Sequence, residues 1–263
     1  MFNKIDSYII KTNNFSLLRL LLASMVFFVH LYDLTLFKEL AVLKLYLSSN
    51  LAIKSFFIIS GFLIFMSYEK SLGVKHYFTK RFLRIYPAYS SIIILGVVLL
   101  FFNSTALFCD YFSINLLKYL IANLLFMNFL EPTIPGVFEL NHINVINGAL
   151  WTLKIEVLFY LSVPILVYFF NRYNHFLVIA TIYMISIFYA NIMYLLYSIT
   201  EMNLYLILSR QLPGQLSYFM IGAFLYYFYN YLYPKYIKHL CLCGGLILII
   251  NHFNFVLFLE PIA

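Results

Sequence analysis

Eight apolar runs divide the chain, near residues 15–37, 46–66, 86–103, 116–130, 149–170, 176–197, 204–229 and 236–258. A helix needs roughly 20 residues to cross the hydrocarbon core of a bilayer. Most of these runs reach that length. In lipid the backbone of such a run has no water to bond to, so it must bond to itself, and the helix is the spanning element that results. Composition leaves no other solvent: 64% of the 263 residues are hydrophobic, 10% are charged and the mean hydropathy is +0.91. A soluble domain is nearer half apolar and a quarter charged. The expectation is an all-α, polytopic integral membrane bundle of about eight transmembrane helices. The third and fourth runs are short, which tilting or a partly re-entrant path would accommodate. The first run is longer than a signal-peptide core and no small-x-small cleavage site follows it, so it is expected to stay as the first helix. With no internal repeat, low-complexity tract or soluble linker, residues 1–263 read as a single membrane-embedded domain.

Charge then orients the bundle. The net charge is +7, yet the segment from Ser67 to Arg84 concentrates Lys70, Lys75, Lys80, Arg81 and Arg84 against one acid, Glu69. Clustering of this kind in loops fits membrane orientation and anionic ligands better than nucleic acid. The positive-inside rule puts the segment in the cytosol, and Lys4 and Lys11 put the N-terminus there too. Strict alternation through eight spans then leaves Arg172, Lys235 and Lys238 outside and Glu131 and Glu139 inside. If one of the two short runs does not span, all of these invert to the favoured side. Cys109, Cys241 and Cys243 are scattered and read as buried small hydrophobes.

Titratable groups inside membrane helices are costly and therefore informative. On the first helix Arg19 and His30 are eleven residues apart, about 1,100° of rotation, within roughly 20° of three turns and about 16 Å along the axis. They share a face at different depths, and Asp33 follows His30 at i+3, where it can orient the imidazole if the helix runs that far. The plain alternative is a snorkelling Arg and a His satisfied by a neighbouring helix. In YFTKRFLRIYP, Arg81 and Arg84 stand at i,i+3 before a proline and suit bidentate contact with phosphate; topogenic charge at the headgroups is the alternative. In WTLKIEVLFYLSVP, Lys154 and Glu156 occupy the first turns of an apolar helix, where the acid needs an Arg, a His, a substrate hydroxyl or a structural ion pair. Ser60-Gly61 in SFFIISGFLIF makes a small spot in a bulky helix and favours close packing.

In this order the four constellations resemble the acyltransferase-3 family of integral membrane acyltransferases. The matching residues are Arg19 and His30, F-F-x-x-S-G-F over Phe56 to Phe62, and R-x-x-R-x-Y-P over Arg81 to Pro87. They continue with W-[ST]-L-x-x-E-x-x-F-Y over Trp151 to Tyr160 with Pro164 after it, and a late L-P stretch from Leu212 to Gly222. The resemblance implies an O-acyltransferase that takes an acetyl or related group from cytosolic acyl-coenzyme A to a hydroxyl of a cell-surface saccharide or lipid-linked glycan. It implies a multi-pass protein of the inner (plasma) membrane, a donor used as substrate with no permanently bound cofactor or metal, and no nucleic-acid partner. Members usually have about ten helices, so a chain of about eight is expected to be short by one or two at its C-terminal end.

Under that reading Arg19, Arg81 and Arg84 gather the donor phosphates, and the pantetheine arm runs inward along the first helix toward His30, an offset comparable in length to that arm. His30 acts as base toward the acceptor hydroxyl or carries the acyl group itself, Glu156 or Asp33 orients its ring, and Ser60 and Trp151 line the substrate path. A transporter or flippase of an anionic or glycolipid substrate would use the same buried charges without bond chemistry. An inactive truncated relative would keep the fold alone. Topology is open to direct measurement: a Lys75→Cys chain should react with impermeant thiol reagents only after the inner membrane is opened, and labelling in intact cells would reverse the orientation.

Overall fold

The computed structural model describes residues 14–141 and 143–232. The eighth apolar run, Lys4, Lys11, Lys235, Lys238, Cys241 and Cys243 lie outside the described residues. Within them every regular element is helical: α1 Phe15–Thr35, α2 Lys38–Tyr46, α3 Ser49–Glu69, α4 Val74–Phe101, α5 Phe108–Tyr111, α6 Ile114–Leu124, α7 Trp151–Arg172, α8 His175–Thr200, α9 Asn203–Ser209 and α10 Leu212–Tyr227, with a 3-10 turn at Gly148–Leu150. Five stretches, α1, α3, α4, Gly148–Arg172 and α8, are long and apolar enough to cross a membrane. This is the all-α membrane bundle that the apolar runs imply.

Three runs take a different form from a simple span. The third is the C-terminal part of the 28-residue α4, which passes through Pro87 without ending. Ser90 there donates its hydroxyl to the Tyr86 carbonyl and Ser91 to the Pro87 carbonyl, each at 2.8 Å, and lipid gives a helix that carries a proline no better alternative than to continue. The fourth run lies partly on α6, a helix of only eleven residues, about 16 Å at 1.5 Å per residue, or half the thickness of the hydrocarbon. The seventh breaks between Ser209 and Leu212, where Pro213 enters the first turn of α10, the position a proline tolerates best.

The chain divides into two compact units, Met1–Lys70 with Leu161–Ala263, and Ser71–Tyr160. In the first, α3 and α10 run parallel at very close range. A Cβ placed on Gly61 would collide with the Phe219 carbonyl oxygen, and one on Gly222 would collide with the Ile58 carbonyl and come within 2.8 Å of the Gly61 Cα. The two glycines thus face each other and let backbone meet backbone, which is how helices associate where no hydrophobic driving force separates them from lipid. Phe57 stacks on Phe219 at 4.8 Å just beyond. The small spot at Ser60-Gly61 is accordingly a helix crossing. The α8 helix packs against α10 through Ser186, whose hydroxyl donates to the Pro213 carbonyl at 2.7 Å and accepts from the Ser217 N–H at 2.9 Å. On the other side α1 lays Leu22 against Ala52 and Ile59 of α3.

The second unit has its own core of Tyr89, Ile93, Val97, Tyr111, Leu116, Tyr119, Ile134, Val137 and Leu150. Two of its buried phenols are tied to backbone: Tyr89 donates to the Asn123 carbonyl at 2.7 Å and Tyr111 to the Val97 carbonyl at 2.6 Å. Burial pushes the Tyr111 phenol up from its ordinary value. The loop after α6 is fixed to this core by Ile134 and Val137, by the Asn123 amide donating to the Glu131 carbonyl at 3.0 Å, and by Gly136, whose φ of 72° and crowded Cα position admit no side chain. Cys109 corrects one expectation: it is exposed, because the four-residue α5 turns Tyr111, not Cys109, into the core.

The glycine crossing predicts a specific pattern of stability. Gly61→Ala and Gly222→Ala should each destabilise the protein in detergent by about 1–3 kcal/mol, the range for overpacked sites. Gly96→Ala, where nothing lies within 4 Å of the added carbon, should be neutral or slightly stabilising. Thermal unfolding of the three variants checks this, and equal shifts would show that the crossing tolerates extra volume.

Candidate functional site

Tyr77 and Arg81 stand one turn apart near the start of α4, and Glu156 and Tyr160 one turn apart near the start of α7. Each pair therefore presents its two side chains from the same face of its helix. The four side chains meet inside the second unit. The Tyr160 hydroxyl donates to a Glu156 carboxylate oxygen at 2.6 Å, and the Tyr77 hydroxyl donates to the Tyr160 carbonyl at 3.2 Å. The Arg81 guanidinium lies over both rings, 5.6 Å from the Tyr160 centroid and 5.9 Å from the Tyr77 centroid, within the range in which a ring face attracts a cation. Tyr77 is fully buried and Tyr160 is 4% exposed. A carboxyl, a phenol and a guanidinium thus form one polar group in an apolar setting, each receiving part of its compensation from the others.

The arrangement separates residues that share a motif. Arg81 is half-buried and turned to the tyrosines, whereas Arg84 is exposed. Lys154 and Glu156 also part company: two residues apart on a helix is about 200° of rotation, and the Lys154 ammonium sits over the Phe129 ring at 4.1 Å while Glu156 accepts from Tyr160. Trp151 is half-buried in the first turn of α7.

In the first unit, α1 extends through Thr35, so Asp33 is one helical turn beyond His30 on a continuous helix. Arg19, His30 and Asp33 are each half-buried, on the flank of the helix whose buried positions are Leu22 and Val29. Ser60 is buried at 4% beside Gly61. A further cation, Lys54, is held 5.3 Å over the Tyr218 ring.

Tyr77 and Tyr160 are the site residues that motif reading passed over. The signal was present, since each lies four residues from a charged residue already singled out, and Tyr160 is the last letter of its motif. In a chain with 24 Tyr, residue type alone could not select them.

A family model described as an acyltransferase domain matches residues 12–261. The chain belongs to that family, acyltransferase-3, whose ordered motifs it carries. Among curated proteins it is similar to nodulation protein 10 of Rhizobium leguminosarum bv. viciae, 33% identical over 171 residues, which is 62% of this chain and 46% of that protein. It is also similar to an O-acetyl transferase of Shigella phage Sf6, 30% identical over 173 residues, 66% of this chain and 51% of that protein. The chain therefore spans about half the length of the curated relatives it matches. No solved structure matches it.

Removing single hydroxyls tests the polar group. Tyr77→Phe and Tyr160→Phe each keep a ring beneath Arg81 and delete one hydrogen bond, and each should lower unfolding stability by about 0.5–1.5 kcal/mol. Tyr160→Leu, which also removes the ring face, should cost more, by roughly 0.5–1 kcal/mol for the lost cation contact besides lost packing. Wild-type stability in all three, measured by thermal unfolding in detergent, would show that the group does not hold α4 to α7.

Proposed function

We propose that this chain transfers an acetyl or other acyl group from acyl-coenzyme A at the cytosolic face to a hydroxyl of a cell-surface saccharide or lipid-linked glycan, within one membrane-embedded domain of the inner membrane. The observation that carries the reading is the joined group of Arg81, Tyr160 and Glu156. The family's arginine motif and its glutamate motif meet there through a phenol, and an acid so held is a positioned polar group instead of a stray charge. The O-acetyl transferase among the similar proteins supports an acetyl group and an oxygen acceptor.

The eleven residues of α6 support the topology. If this helix does not cross, five crossings precede the α9–α10 break: Arg172 returns to the cytosol with the Lys70 to Arg84 cluster, and Glu131 and Glu139 lie on the extracytoplasmic side. That is the distribution the positive-inside rule favours with a cytosolic N-terminus.

In this reading Arg84, exposed at the cytosolic end, binds donor phosphate together with Arg19 and Arg81. His30 takes the proton of the acceptor hydroxyl as that oxygen attacks the thioester carbonyl. The carbon–sulfur bond breaks, and the imidazolium returns the proton to the departing thiolate, so the products are an ester and coenzyme A. Glu156 or Asp33 holds the ring in position, and Ser60 and Trp151 line the path of the substrates.

Kinetics on purified protein test the division of labour. His30→Ala and His30→Gln should abolish thioester consumption while the protein reaches the membrane at normal level. Arg84→Ala should raise KM for acyl-coenzyme A roughly tenfold or more, as expected for a lost charge-assisted bond of about 1.5–3 kcal/mol, with a smaller change in kcat. Arg84→Lys should recover part of the affinity, because an ammonium lacks the planar two-point contact. Intact acyl-coenzyme A in the presence of wild type and glycan would count against acyl transfer and leave the transporter and the inactive relative, and full activity of His30→Ala would remove the base.

A further inference from the structure

Lys154 is a cation that the acyl-transfer scheme does not use. It is half-buried in the first turn of α7, its ammonium 4.1 Å from the centroid of the Phe129 ring. Among the described residues no carboxylate pairs with it. Glu156, two positions on, is turned to Tyr160, and Glu139 is engaged by the Gly136 N–H at 2.8 Å.

The segment beneath the ammonium is hydrogen-bonded on both sides of the ring. Phe129 sits in a turn closed by the Leu130 N–H donating to the Met127 carbonyl at 3.0 Å, and the Met127 N–H donates to the Ala122 carbonyl at 2.7 Å. On the other side the Glu131 carbonyl is held by the Asn123 amide at 3.0 Å. The helix end that carries Lys154 is equally fixed, with Leu150 and Leu153 packed on the core of the second unit and the Asn147 side chain accepting from the Ala149 N–H at 3.2 Å. Phe129 itself is 56% exposed, so ring and ammonium stand at the open edge of the unit.

A lysine at this place opposes two tendencies. A cation in the first turn of an apolar span is costly without a counter-charge. In the topology proposed above, this end of α7 is extracytoplasmic, where positively charged residues are disfavoured. The aromatic face offsets part of that cost and, being no hydrogen-bond acceptor of ordinary strength, leaves donors of the ammonium for a ligand.

We propose that Lys154, presented by Phe129, is the binding residue for an anionic group on the acceptor, a carboxylate or a phosphate of an acidic saccharide or glycan carrier. The inference rests on the acyl-transfer reading for calling that ligand the acceptor, and on the proposed topology for the side of the membrane. It does not rest on either for the anion site itself. The site selects among acceptors, whereas the donor phosphates are taken by the arginines of the cytosolic end.

Binding to the full chain in detergent separates these claims. The probes are glucuronate for a carboxylate, glucose 1-phosphate for a phosphate and glucose as the neutral control. Each is read as the rise in unfolding temperature with concentration, and coenzyme A is measured in parallel. Wild type should be stabilised by at least one of the anions and not by glucose, and which anion responds identifies the source. Lys154→Met should weaken that response at least tenfold, Lys154→Arg should keep most of it, and the response to coenzyme A should be the same in all three proteins. No anion response in wild type, or an equal one in Lys154→Met, would overturn the proposal. So would a parallel loss of the coenzyme A response, which would mean that the substitution disturbs the whole protein. A retained anion response in a wild type that consumes no thioester would sink the acyl-transfer reading and leave the anion site standing.

Discussion

A charged or hydrogen-bonding side chain inside an apolar helix has to be received by another group, and this requirement organises the second unit. The carboxyl of Glu156 accepts from Tyr160, the rings of Tyr160 and Tyr77 face the Arg81 guanidinium, and the Tyr77 hydroxyl is used on the Tyr160 backbone. None of these residues is well accommodated alone in lipid or in a dry core. Together they fix the start of α4 to the start of α7. Since Arg81 and Glu156 belong to separate motifs of the acyltransferase-3 family, the group that satisfies the polar atoms is also the one that defines the candidate site.

A different force builds the first unit. Lipid is as apolar as Leu, so burial alone cannot drive α3 onto α10, and close van der Waals approach has to do it. Gly61 and Gly222 remove the side chains that would keep the backbones apart, and stacked rings such as Phe57 on Phe219 fill the space beside them. The same scarcity of polar partners explains the α8–α10 contact. Ser186 there serves as donor to Pro213 and acceptor from Ser217, giving one hydroxyl two backbone partners around the break that Pro213 introduces.

The aromatic residues have a second use beyond bulk. Phe129, Tyr218, Tyr77 and Tyr160 each face a cation. A ring face is the one apolar surface that compensates positive charge without introducing a further charge to be buried. With 21% of its residues aromatic, the chain can hold lysines and arginines inside or at the edge of helices where carboxylates would be expensive.

Helices α1, α3, α7 and α8 were legible from hydropathy alone, because the length of an apolar run and the absence of water dictate the element. The family was legible from Arg19, His30, Arg81, Arg84, Trp151 and Glu156, because chemistry constrains residue type and spacing. The Ser60-Gly61 spot was legible as a packing site, although its partner, Gly222 on α10, is 161 residues away and no local pattern connects them. Three matters were left to the tertiary structure. The fourth run is a short helix, since the core around Tyr119 and Asn123 ends it where its own hydropathy would not. Arg81 turns inward while Arg84 stays exposed, because Tyr77 and Tyr160 supply ring faces at one position and not at the other. Lys154 rests on Phe129 and not against Glu156, because two residues on a helix point to opposite sides and only the folded loop after α6 brings an aromatic ring to the free side. Sequence by itself determined which groups must be compensated, since that depends on residue type and solvent. Tertiary structure alone decided which partner compensates each, since that depends on distance and direction between segments far apart in the chain.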